Sequence, residues 1–404
     1  MEIINGMLSI ILNPSLIGIL ALFVFLGIYV GAMPGLSVSM ACSLLISFTF
    51  SWEPLPALAA MLGVQIGGVY GGSRAAILLN IPGTTAAVAT SLDGYPLAKK
   101  GLAGEAIAVA TLSSVMGGLI GAVILAIGAP LISNIALKFA PRDYFLLGMM
   151  GLLLVGSLGS ESNSRGIFTA LIGLFIGTIG LDLVTGQQRF AFGNTYLMGG
   201  VNYVVVMLGL FGMSEALLQL RDLSVYPVKQ KVDNLKPDFK GHVKYFVLTI
   251  KSSLIGVFVG ALPGTGGDIA ALIAYDQAKR TTKNPEVSFG EGAIEGLVAP
   301  ETANNAAIGG AYIPMLTLGI PGDAVTAIIL GAMLIHGLRP GPLFMTESPD
   351  TFGFIVAGNF IGNIFLLIFG FMGIKLFTKI VEIPKYILMP TIIILSVVGS
   401  YAIN

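Results

Sequence analysis

Cysteine, histidine and charge are all scarce in this 404-residue chain. The single cysteine, Cys42, excludes a disulfide framework and any multi-cysteine metal site. Two histidines, His242 and His336, are too few for a His-rich metal centre. Only 10% of the residues are Asp, Glu, Lys or Arg, where a soluble domain carries about 25%. The 21 acidic and 21 basic residues cancel, so no basic field exists to attract nucleic-acid phosphate. The Gly-x-x-x-x-Gly-Lys-Ser/Thr loop of ATPases and the His-Glu-x-x-His motif of zinc proteases are both missing. No Lys or Arg precedes Arg74, so the N-terminus lacks the basic region of a secretory signal and its apolar run reads as a permanent span. What fills the chain instead is apolar: 55% of it, at a mean hydropathy of +0.90. Glycine, with 54 residues, is about twice its usual level. This excludes a soluble globular or disordered chain and points to a multi-span membrane protein with close helix contacts and broken helices.

Charge-free runs long enough to cross a bilayer, which takes about 20 apolar residues, recur along the chain. Residues 3–52 carry no charge; that run is too long for one helix and is expected to divide at Gly31-Ala-Met-Pro-Gly35. Further runs cover Pro54–Ser73, Ala75–Leu92, Ala106–Leu137, Tyr144–Ser160, Gly166–Leu181, Phe190–Ser214, Ser252–Gly267, Thr302–Gly322, Thr351–Ile374 and Tyr386–Asn404. The expected fold is all-α: a polytopic membrane protein of roughly ten to twelve membrane segments, including re-entrant hairpins where Pro-Gly pairs interrupt a run. Residues 221–244 differ, being polar and rich in lysine. They read as a connecting loop, cytoplasmic by the positive-inside tendency, between a first half (1–220) and a second (245–404).

The two halves share motifs in the same order. Gly31-Ala-Met-Pro-Gly35 recurs as Gly260-Ala-Leu-Pro-Gly264 at an offset of 229, and Ile81-Pro-Gly83 as Ile320-Pro-Gly322 at an offset of 239. Gly71-Gly72 and Gly309-Gly310 lie upstream of the latter pair. Asp93-Gly94 matches His336-Gly337, Pro141 matches Pro384, and Val155-Gly-Ser157 matches Val398-Gly-Ser400, each at 243. Duplicated halves of broken helices are characteristic of secondary transporters. An inverted relation is favoured, with a parallel repeat as the alternative. The first half runs on for about 60 residues past Ser157 whereas the second stops four after Ser400, so the sequence reads as a shortened version of a longer protein.

Each Pro-Gly pair is expected to break a helix within the membrane, which is tolerated only in buried protein or along a wet cavity. The helix that restarts directs unpaired N–H groups and a positive dipole end at that cavity. Small polar residues follow each turn: Ser37 and Ser39, Thr84 and Thr85, Thr265, and Asp323. That set suits an oxyanion and a small cation; the plainer alternative is a set of kinks and tight helix contacts. Ala299-Pro-Glu-Thr-Ala-Asn-Asn305 clusters Glu301, Thr302, Asn304 and Asn305 at the start of an apolar run, where an N-cap with Glu in the first turn accounts for the first two. Asparagines offer both donors and acceptors to a carboxylate or to Na+. Arg74, Asp268 and Asp323 are ionisable groups within apolar runs and so are functional candidates: Arg74 for an anion, the aspartates for a coupling cation or proton, with an interfacial, snorkelling Arg74 as the alternative. His336 reads as the cap of a hairpin tip. Lys99-Lys100, after Asp93-Gly-Tyr-Pro96, reads as a solvated loop.

The series Gly31-Ala-Met-Pro-Gly35, Asn80-Ile-Pro-Gly83, Asp93-Gly-Tyr-Pro96, Gly260-Ala-Leu-Pro-Gly264, Ala299-Pro-Glu-Thr-Ala-Asn-Asn305, Leu318-Gly-Ile-Pro-Gly322 and His336-Gly-Leu-Arg-Pro-Gly-Pro342 resembles the large membrane subunit of tripartite tricarboxylate transporters, the TctA family. The resemblance covers essentially the whole chain, except that such subunits usually run longer at the C-terminus. It implies a bacterial inner-membrane uptake system in which a periplasmic binding protein delivers a carboxylate and a small membrane subunit assists. The driving force would be an H+ or Na+ gradient, with no cofactor and no metal beyond Na+. The expected substrate site comprises Gly35, Ser37, Ser39, Asn80, Gly83, Thr84, Thr85, Gly264, Thr265, Gly266, Asn304, Asn305 and Gly322, with Asp268, Asp323 and Glu301 as cation-coupling candidates. A passive channel or structural subunit is one alternative; an intramembrane aspartyl protease using Asp268 and Asp323 is another, without the Gly-x-Gly-Asp motif that would support it.

Overall fold

The computed structural model describes all residues except 34–35, 159–162, 183–185, 221–238, 284, 373–384 and 404. Its regular structure, among the described residues, is helical apart from one short antiparallel pair, β1 (Gly180–Leu181) with β2 (Gln188–Arg189). Among the described residues, four helices are long and apolar enough to cross a membrane: α2 (Pro14–Ala32), α4 (Pro54–Leu79), α6 (Ala103–Ala136) and α18 (Pro349–Met372). Shorter apolar helices lie between and beyond them. Leu22, Leu26, Ile127, Leu131 and Phe145 are exposed, the surface expected of helices that face lipid rather than water.

The charge-free N-terminal run divides twice. After α1 (Glu2–Ile11), Asn13 caps α2 by accepting the Ser15 N–H (3.1 Å), and Pro14 occupies the first turn, where a missing N–H costs nothing. The second division is the expected one: α2 ends at Ala32, and Ser37 caps α3 (Val38–Thr49) through Met40 N–H at 3.0 Å. Arg74 does not separate two runs, because α4 continues through it to Leu79. There Asn80 adopts the left-handed conformation that ends helices (φ 54°), and Ile81-Pro82-Gly83 lead to α5 (Ala87–Lys99). Of the lysines expected in a solvated loop, Lys99 is the last residue of α5 and Lys100 its C-cap, and both are exposed.

α6 is followed by α7 (Pro141–Leu158), α8 (Asn163–Gly177), the β pair and α9 (Thr195–Met198). Next comes α10 (Tyr203–Met207), continued by a π turn at Leu208–Met213 into α11 (Ser214–Leu220). Most of the connecting segment lies outside the described residues; its end, expected as loop, is the short helix α12 (Phe239–Val243). The second half follows: α13 (Phe246–Gly260), α14 (Gly266–Thr281), α15 (Glu295–Leu318), α16 (Ala324–Ile335) and, after α17 (Phe344–Glu347), α18 and α19 (Lys385–Ile403). α15 ends at Gly319 (φ 72°), 239 residues after Asn80, in the same left-handed conformation. One sequence match does not carry over: Gly94 lies inside α5, whereas Gly337 (φ 76°) follows the end of α16. Pro384 lies outside the described residues.

α4 and α15 form the centre, buried on all faces over nearly their whole length. Glycine allows the close approach, and its contacts recur between the halves. A methyl group on Gly27 would strike the Val64 carbonyl, on Gly31 that of Gly68, and on Gly71 that of Ile28. On Gly256, Gly260 and Gly310 it would strike the carbonyls of Ala303, Ala307 and Val257. These are the same contacts displaced by 229 on one helix and 239 on the other. The break glycines match too: Gly83 abuts the Gly31 carbonyl and Gly72, and Gly322 abuts the Gly260 carbonyl and Ala311. Where α4 meets α15 the order reverses. Gln65 accepts from the Tyr312 hydroxyl (2.8 Å), while four residues further on the Val69 carbonyl accepts from Asn304 (3.4 Å). The two helices therefore cross antiparallel.

A chamber at the helix breaks

A cavity of about 580 Å³ opens where the four breaks meet. Its wall takes Leu36–Ser39 from the start of α3, Pro82–Ala86 from the turn before α5, Gly264–Asp268 from the start of α14, and Asp323–Val325 from the start of α16. Val69, Asn304 and Ile308 from the crossing of α4 and α15 close it. Four helix N-termini, two from each half, therefore converge on one space. Each brings N–H groups without an intrahelical partner and the positive end of a dipole worth about half a charge. The second-half turns are tied together by Gly264 N–H donating to the Gly322 carbonyl at 2.8 Å. Gly264 and Gly266 have φ of 81° and 60°, values that a side chain would resist.

Of the expected substrate residues, Ser37, Ser39, Gly83, Thr84, Thr85, Gly264, Thr265, Gly266 and Asn304 line this chamber, as do Asp268 and Asp323. Gly35 lies outside the described residues. Asn80, Gly322, Asn305 and Glu301 are not on the wall, each for a visible reason. Asn80 terminates α4, and Gly322 is packed beneath Asp323 against the Gly260 carbonyl. Asn305 is about 100° round the helix from Asn304, and its amide donates to the Glu301 carbonyl at 3.0 Å. Glu301 is not in the first turn of a helix, because α15 begins at Glu295. Its side chain lies 1% exposed among hydroxyls, accepting from Thr90 and from Ser114 (2.8 Å).

Arg74, the anion candidate, is not on the chamber wall. It is 1% exposed, it donates to the Gly370 carbonyl (2.5 Å) in the last turn of α18, and its Nε donates to the Tyr70 hydroxyl (3.2 Å). Asp323 caps α16, its Oδ1 accepting from the Thr326 N–H and hydroxyl, each at 2.7 Å. Asp268 lies beside the Thr85 hydroxyl and the Ala86 N–H of the opposite half. His336 is the C-cap of α16.

Sequence reasoning missed Glu215 and Gln219, one turn apart on α11 and joined at 3.0 Å, which also face the chamber. They have no counterpart in the repeat, so the pattern that exposed the other wall residues was silent about them. It also missed Asp93. This residue is fully buried, its Oδ1 accepting from the N–H groups of Gly290, Gly292 and Ala293 (2.8 Å each) and its Oδ2 from the Tyr275 hydroxyl (2.9 Å). It fastens α5, whose N-terminus faces the chamber, to the segment that opens α15.

The family model described as the tripartite tricarboxylate transporter TctA family matches residues 17–404. The chain belongs to the TctA family. It is a multi-pass membrane component of a tripartite tricarboxylate transporter. An Agrobacterium vitis relative, described as an uncharacterized 52.8 kDa protein in the TAR-I ttuC' 3' region, is 40% identical over 385 residues, or 94% of this chain and 76% of that protein. Another from the same organism, described as an uncharacterized protein in the TAR-II ttuC' 3' region, is 44% identical over 149 residues, 37% of this chain and 61% of the relative. No solved structure matches. Within this TctA chain, none of the wall residues described is Lys, Arg or His, while Glu215, Asp268 and Asp323 are acidic.

Proposed function

We propose that this chain is the permease of a binding-protein-dependent secondary transporter that imports a tricarboxylate or related organic anion, driven by an ion gradient across a bacterial inner membrane. The observation that carries this reading is the meeting of four broken-helix turns, two from each half, around one chamber. Their N–H groups, with the hydroxyls of Ser37, Ser39, Thr84 and Thr85, offer a carboxylate what a helix N-terminus offers any oxyanion. The halves are read as an inverted repeat, supported by the antiparallel crossing of α4 and α15. Such repeats build alternating-access carriers with the site at their interface. A periplasmic binding protein and a small membrane subunit are the expected partners. The protease reading is less well supported, since it asks Asp323 to share a water with Asp268 while its Oδ1 is engaged as a helix cap.

The test is uptake of labelled citrate and related acids into proteoliposomes containing the complete transporter, with and without the binding protein and an imposed Na+ or H+ gradient. Saturable, concentrative, binding-protein-dependent uptake is expected. Non-saturable flux that only equilibrates citrate would make the chain a channel instead.

A further inference from the structure

We infer that Glu215 is a specificity-determining residue: it accepts a hydrogen bond from a hydroxyl group of the organic anion, so the chamber prefers hydroxylated acids to their unhydroxylated counterparts. This rests on the transport reading above and narrows the substrate class of the same chamber.

The placement of Glu215 is built into the fold. α11 is not one of the four helix starts at the breaks; it follows the π turn at Leu208–Met213. A π turn holds about one residue more than the α-helical turn it replaces, and each helical residue advances by about 100°. The turn therefore resets the azimuth of every residue after it. Two small residues fix where α11 comes to rest. A methyl group on Gly212, within the turn, would lie 3.0 Å from Ser396 Oγ of α19 and 3.3 Å from Ser43 Oγ of α3. Ala216, fully buried, packs in one cluster with Met40 of α3 and Met389 of α19. With that face committed, Glu215 and Gln219 fall on the chamber wall. Such turns are rare and recur at functional sites.

The chemistry follows from what surrounds the carboxylate. Gln219 Nε2 donates to Glu215 Oε1 at 3.0 Å, and none of the ion pairs among the described residues includes Glu215. Asp323 is engaged as the cap of α16, and Asp268 lies beside donors of the opposite half. A carboxylate only accepts, so what Glu215 can take from a ligand is a donor. The carboxylates of the substrate go to the N–H groups of the helix starts; one placed opposite Glu215 would meet like charge. A hydroxyl there meets an acceptor. An ammonium would donate too, but it would have to leave water and face four positive helix ends. A site that hydrogen-bonds a substrate hydroxyl also rejects the analogue without one, because its own polar group is then left unpaired.

The experiment displaces labelled citrate from the purified full chain with two matched pairs of acids: citrate against tricarballylate, and malate against succinate. Within each pair the carboxylates are the same and the hydroxyl alone differs. Wild type should prefer the hydroxylated member of each pair by about tenfold or more, as a hydrogen bond to a charged group allows. Glu215→Ala should bring both ratios close to one. Glu215→Gln, which keeps a carbonyl acceptor, should hold them in between. Damage to the fold weakens all four acids together, so the ratio reports on Glu215 itself. Ratios that stay at their wild-type values in Glu215→Ala overturn the inference, as does a wild type without the preference. Aspartate, with an ammonium in place of the malate hydroxyl, overturns it as well if it displaces citrate better than malate does. A Glu215-dependent preference in a chain that moves no acid across the membrane supports the inference and defeats the transport reading alone. Binding of none of these acids overturns both.

Discussion

Replacing Asp93 tests whether the two halves are fastened as described. One oxygen of this carboxyl accepts three N–H groups and the other accepts a hydroxyl. In Asp93→Ala all four donors lose their acceptor, but not at equal cost. Gly290 is exposed, so water can take its N–H, whereas Gly292 and Ala293 are buried. Two buried N–H groups at about 1–3 kcal/mol each give a loss of roughly 2–6 kcal/mol. Tyr275, itself mostly buried, adds about 1 kcal/mol. Asp93→Asn keeps one carbonyl oxygen for the N–H cluster, and the Tyr275 hydroxyl can turn to accept from the new amide. Its expected cost is about 1–2 kcal/mol. The assay is thermal unfolding of the purified protein in detergent, with Tyr275→Phe included to isolate the hydroxyl. The expected order of stability is wild type, then Tyr275→Phe and Asp93→Asn, then Asp93→Ala. An alanine variant as stable as wild type, or less harmful than the asparagine variant, would refute the clamp.

The break glycines give a paired prediction. Gly83→Ala and Gly322→Ala each push a methyl against a carbonyl, of Gly31 or Gly260, and each should lower stability by about 1–3 kcal/mol, checked by the same melts. A large effect at one and none at the other would contradict the repeat. Tyr312→Phe leaves the buried Gln65 side chain without its donor, for a loss of about 1–2 kcal/mol. Glu301→Gln should leave the ion dependence of citrate uptake unchanged, because Glu301 is not on the chamber wall; its loss would return Glu301 to the transport pathway. Lys244→Ala removes an exposed ion pair with Glu286 and should leave the melting temperature where it was.

How much of this was legible depends on where each signal lies in the chain. The breaks were, because Pro-Gly chemistry is local and the repeat supplied a second copy of each. The equivalence of Asn80 and Gly319 as helix terminators follows from the same offset, since both are residues that tolerate a left-handed backbone. Arg74 was misread because what satisfies it is not local: a charge inside an apolar run looks like an edge until Gly370, nearly three hundred residues later, brings its carbonyl to it. Asp93 failed the same way. Its partners at 275–293 make Asp93 a buried clamp, and nothing within α5 announces them.

Asn304 and Asn305 mark the finer limit. The sequence offers two adjacent, chemically identical amides, and only the azimuth of α15 decides between them. That azimuth is set by glycines on facing helices: Gly256 and Gly260 against Ala303 and Ala307 on one side, Gly117 and Gly121 against Thr302 and Ala306 on another. With both flanks fixed, Asn304 faces the chamber, whereas Asn305 turns, with Glu301, towards the hydroxyl-lined interface with α6. The glycines that look like passive spacers therefore choose which amide meets the ligand. Enlarging Gly256 to alanine should rotate or displace α15 and weaken citrate binding through Asn304, although Gly256 is not on the chamber wall. If Gly256→Ala is folded and leaves citrate affinity intact, helix azimuth is not what places Asn304.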